Sequence, residues 1–109
     1  MTLRPPARYS PSAGAAGATG ESGPNPIEHE IAGEKAAALG RAGERVEVSL
    51  ARLNECSADA AERPALLKAA ADAVYAYFIQ RELCGLRRQQ DAIRDYAIPR
   101  EVLVRLGAV

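Results

Sequence analysis

Among its 109 residues the chain has no tryptophan, one phenylalanine and one histidine, and only two cysteines. Each scarcity excludes something. Without large aromatics beyond four tyrosines, a core must be built from Ala, Leu, Val and Ile, which favours close helix–helix contact over aromatic filling. Cys56 and Cys84 are too few and too far apart for a disulfide framework, so a reduced, cytoplasmic protein is expected. No run reaches the roughly 18 apolar residues of a membrane span, and the start lacks the apolar stretch of an export signal. Lys+Arg and Asp+Glu both number 14, so no global field draws in nucleic acid or an anionic membrane. The lone His29 has no second His or Cys at ligand spacing, and no nucleophile–base pair, phosphate loop or zinc knuckle is encoded. No cofactor, metal or enzymatic activity is therefore expected.

What is present is helical. Residues 1–24 are rich in Pro, Gly, Ser and Ala and are expected to form a disordered tail, because they cannot bury enough surface to offset ordering entropy. A helix then starts sharply. Asn25 suits the N-cap, Pro26 the first helical position and Glu28 the third, which is the pattern of a capping box. Ile27, Ile31, Leu39, Ala42, Val46, Leu50 and Leu53 recur at helical spacing to about residue 56. Gly33, Gly40 and Gly43 interrupt this helix and lie among alanines, either as a smooth track for another helix or as tolerated exposed positions.

A turn around residues 57–63 leads, through Pro64, into a second helix expected to span about 60–95. One of its faces carries Leu67, Ala70, Ala71, Val74 and Phe78. A neighbouring face carries Tyr75, Ile79, Leu83, Leu86, Gln90 and Ile93. Two apolar rows on one helix call for two sets of partners. Pro99 breaks the chain before a short third helix, 99–106, ended by Gly107 and expected over the open end of the hairpin near Ile27, Ile93 and Tyr96. The fold class is all-α. A long antiparallel helical hairpin, with residue numbers of facing positions adding to about 118–120, is joined by a short C-terminal helix. A homodimer completing a four-helix bundle is the simplest cover for the second row, and a monomer with the third helix as lid is the competitor.

The polar insert from Gln80 to Arg87 stands out within the apolar second helix. Gln80, Arg81, Glu82 and Arg87 are candidates for a partner or ligand site. The competing reading is a set of inter-helix polar contacts that fix register, with Gly85 marking a close crossing. Five C-terminal arginines (Arg87, Arg88, Arg94, Arg100, Arg105) suggest a nucleic-acid face, yet Asp91, Asp95 and Glu101 are interleaved and leave a local surplus of only +2. The block QRELCGLR at Gln80–Arg87, the Ile93–Tyr96 segment and the ending IPREVLVRLG resemble a small family of uncharacterised bacterial all-α proteins. That resemblance brings no activity with it. The reading is a non-enzymatic, self-associating helical scaffold or protein-interaction module with an unidentified protein partner. The alternative is a small DNA-associated regulator using the arginine-rich C-terminal helices.

Overall fold

In the computed structural model, which describes residues 25–108, the described residues are 74% helical and contain no strand. The expected tail, residues 1–24, lies outside them. Helix α1 spans Pro26–Glu55 and α2 spans Arg63–Leu83. They are followed by α3, Gln89–Asp95, and α4, Arg100–Leu103.

The start of α1 forms the expected capping box. The Glu28 backbone N–H donates to Asn25 Oδ1 at 2.8 Å, and the Asn25 N–H donates back to Glu28 Oε1 at 3.2 Å. Ile27 and Ile31 are exposed, and along the same helix Ala42, Gly43, Val46, Leu50 and Leu53 are buried. These residues meet Leu67, Ala70, Ala71, Val74 and Tyr77 of α2 in a single core. Each fully buried aliphatic side chain there contributes about 1.5–3 kcal/mol of transfer free energy.

The hairpin register matches the sequence expectation. Cys84 Sγ lies 3.7 Å from the Lys35 carbonyl oxygen, Tyr77 reaches the position of Gly43, and Arg63 Nη1 donates to the Cys56 carbonyl at 3.5 Å. These facing numbers add to 119, 120 and 119. Cys56 and Cys84 are both free, at opposite ends of the pairing. In the connecting turn the Ser57 hydroxyl donates to Asp59 Oδ1 at 3.2 Å, and Glu62 at the N-cap makes no side-chain cap bond. Asp59 and Glu62 therefore form no capping box at the start of α2. Pro64 sits inside the first turn, where its missing N–H costs nothing.

The expected helix from 60 to 95 is corrected: it is two helices, α2 and α3. Gly85, at φ +83°, takes the left-handed conformation after the last turn of α2. The Gly85 N–H donates to the Glu82 carbonyl at 3.0 Å, and the Leu86 N–H to the Arg81 carbonyl at 2.8 Å. Those two bonds are a Schellman cap, which satisfies the orphan carbonyls and turns the chain. The device recurs at the end of α3. Ala97 has φ 51°, its N–H donates to Arg94, and the Ile98 N–H donates to Ile93.

After these reversals the chain runs back along the hairpin. Tyr96 stands edge-on to Tyr77 with ring centroids 5.2 Å apart, and α4 packs against α2. Arg63, at the start of α2, pairs with Glu101. Ala92, Ile98 and Val102 are buried in the common core. The C-terminal helix thus covers the turn end of the hairpin, not the open end expected from the sequence. The early stop at Gly85 leaves α3 and α4 enough chain to return that far.

Candidate functional site

The polar insert resolves into a structural lock. Arg81 is 9% exposed, and it is the one charged residue buried among the described residues. Its Nε donates to Gln89 Oε1 at 3.2 Å and its Nη2 to the Arg88 carbonyl at 2.9 Å. Its guanidinium also lies 5.9 Å from the centre of the Tyr77 ring. A buried guanidinium needs such partners, since leaving it unpaired is costly. Gln89 Nε2 in turn donates to Glu82 Oε2 at 3.5 Å. Arg81 and Glu82 are therefore brought together, through Gln89, to hold α3 onto the end of α2. Gln80 is half-buried and Arg87 is exposed, and among the described residues neither side chain makes a hydrogen bond. The four candidates do not converge on one pocket, and Gly85 marks the stop of α2, with open space beside it.

The C-terminal arginines are mostly occupied locally. Arg88 lies 3.8 Å from Asp91, and Arg94 lies 3.6 Å from Asp91 and 3.4 Å from Asp95. Arg105 donates to the Glu101 carbonyl at 2.8 Å.

Tyr77 and Tyr96 fill the space above Gly43. A methyl group added at Gly43 would lie 2.6 Å from Tyr96 Oη and 3.5 Å from Tyr77 Cε1. Burial raises the Tyr96 pKa to about 12, helped by the adjacent Tyr77 hydroxyl and the Glu47 carboxylate and opposed by Arg81. A phenol held neutral in this way packs and hydrogen-bonds, and it supplies no proton near neutral pH. Among the described residues no group of three or more His, Cys, Asp or Glu side chains is placed to hold a metal ion. No helix among them is long and apolar enough to cross a membrane.

Two further features belong to the outer surface of the hairpin, although Tyr75 also lies against Gly107, just after α4. The second apolar row is exposed: Tyr75, Ile79 and Leu83 of α2 and Leu86 just beyond its end are 50%, 41%, 55% and 44% exposed. Ile93, expected to extend that row, instead packs on the core from α3. An open groove of about 630 Å³ also runs between α1 and α2. Arg41, Glu44, Arg45, Val48 and Arg52 wall it on α1, and Ala69, Asp72, Ala73 and Ala76 line it on α2. Among the described residues none of these three arginines forms an ion pair. The sequence reading had the apolar row but missed the groove. Its signal was the helical spacing of small residues on α2 opposite arginines on α1.

No curated protein and no solved structure matches the chain. The chain belongs to a family of unknown function, DUF6665, whose family model matches residues 15–109.

Proposed function

We propose that this protein is a non-enzymatic helical interaction module that self-associates, with the uncovered side of its hairpin as the contact surface. The observation that carries this reading is the exposed row Tyr75, Ile79 and Leu83 on α2, with Leu86 just beyond its end, on a helix whose opposite face packs in the core. Contiguous exposed apolar side chains of this kind mark interaction surfaces. The hairpin also has an open groove whose α2 side carries Ala69, Ala73 and Ala76 around Asp72, where a further helix can approach closely. A reduced, cytoplasmic setting suits its two unpaired cysteines.

Static light scattering on wild-type protein and on Ile79→Glu tests the reading. Wild type is expected at about twice the chain mass of 11.5 kDa. Ile79→Glu is expected near 11.5 kDa with unchanged helicity, because Ile79 is exposed in the single chain. A wild-type mass that stays near 11.5 kDa at concentrations on the order of 100 μM would sink the proposal.

A further inference from the structure

Along α1 the positions Glu34, Ala38, Arg41, Arg45, Val48 and Arg52 follow one another at intervals of four, three, four, three and four. That is the 3.5-residue period of a helix seam. It runs beside the stripe Ala42, Val46, Leu50 and Leu53, which the chain buries within itself. All six seam residues are exposed except Ala38, which is half-buried. The seam has an acid at its start and bases at its middle and end. It is therefore complementary to itself when two copies run antiparallel, as a two-fold contact demands. In one register Glu34 meets Arg45 of the second copy and Ala38 meets Arg41, each pair of numbers adding to 79. The small Ala38 leaves room for the apolar stem of Arg41.

Two independent features fit this register. The groove walled by Arg41, Glu44, Arg45 and Arg52 is open, and the small Ala69, Ala73 and Ala76 beside Asp72 on α2 allow a second α1 to sink between the two long helices. The two-fold axis falls between residues 39 and 40 of α1. By the hairpin register, in which facing numbers add to 119–120, that is the level of Ile79 on α2. The apolar row of α2 then lies beside the incoming helix instead of facing water.

We propose that two copies of this chain pair through antiparallel α1 helices, Glu34 of each against Arg45 of the other, with each α1 lying in the other copy's α1–α2 groove. This rests on the self-association proposed above and adds its seam and register. The product is a four-helix arrangement of two hairpins, in which α3 and α4 remain outside the contact.

Sedimentation equilibrium on wild type, Glu34→Arg, Arg45→Glu and the double variant E34R/R45E tests it. Each single change turns two attractions into two repulsions and is expected to weaken the dimer about tenfold. The double variant restores opposite charges at both pairs and is expected within about twofold of wild type. Both side chains are exposed, so circular dichroism should show the same helicity in all four proteins. Single variants that dimerise like wild type, or a double variant weaker than either single one, overturn this register while self-association stands. A monomeric wild type overturns both.

Discussion

The two sides of the α1–α2 hairpin are built to different ends. On one side α3 and α4 return over the helices, and the contacts there are specific. Arg81 is locked to Gln89 and Arg88, Tyr96 stands edge-on to Tyr77 over Gly43, and Arg63 pairs with Glu101. On the other side, Ile79 and Leu83 lie exposed, and Arg41, Arg45 and Arg52 of the α1–α2 groove form no ion pair among the described residues. The difference teaches that the covered side is where the polar residues of the chain do structural work. The open side keeps apolar surface and unspent charge, which is the composition of a contact surface.

Substitutions in matched pairs can break or sharpen that comparison. The largest expected effect is at the α2–α3 turn. Arg81→Met removes two hydrogen bonds and strands the Arg88 carbonyl, which should cost about 2–3 kcal/mol in urea unfolding. Arg87→Ala, six positions along and exposed, should leave the unfolding midpoint unchanged. Equal effects would mean that the turn is not held by the Arg81 lock.

The glycines of α1 provide the next contrast. Gly40→Ala meets no atom within 4 Å and should stabilise by about 0.5–1 kcal/mol through helix propensity. Gly43→Ala places its methyl group against Tyr96 Oη, and displacing that ring should turn the gain into a net loss of about 1 kcal/mol. Thermal unfolding of the two variants distinguishes them by sign. If both stabilise, the Tyr96 contact yields more easily than the packing implies.

The smallest effect is in pH. Tyr96 rises from the ordinary 10.0 to about 12 in the folded chain, so the folded state holds the phenolic proton more tightly than the unfolded state does. That contribution is fully present below pH 10, and it is lost as pH rises towards about 12. Urea midpoints of wild type should therefore fall over this range more steeply than those of Tyr96→Phe, which has no proton to lose. Parallel curves would contradict a half-buried Tyr96 held neutral to about pH 12.

Much of the fold was legible in the sequence because it rests on local chemistry. Asn25, Pro26 and Glu28 specify the start of α1, and the spacing from Leu39 to Leu53 against Leu67 to Val74 sets the register. The break at Gly85 was harder to read, because the apolar period runs through Leu83 and Leu86 as though the helix continued. The order Leu83, Cys84, Gly85, Leu86 carries the cap signature of a glycine followed by an apolar residue. It competes, however, with a glycine at a close helix crossing, and the two look alike without coordinates. Once α2 ends early, the destination of α4 changes, and Arg81 becomes the lock of a turn in place of a pocket residue. The groove was hidden for another reason. Arginines on an outer face read as solvated until the alanines of α2 are known to stand opposite them.

The most direct test of the contrast between the two sides is hydroxyl-radical footprinting across a concentration series. Modification at Tyr75, Ile79 and Leu83 should fall as the protein is concentrated from dilute to self-associating conditions, while Leu53 and Val102 stay protected throughout. Constant modification of the three α2 residues at every concentration would contradict the account, for the open side would then face water in the protein's only state.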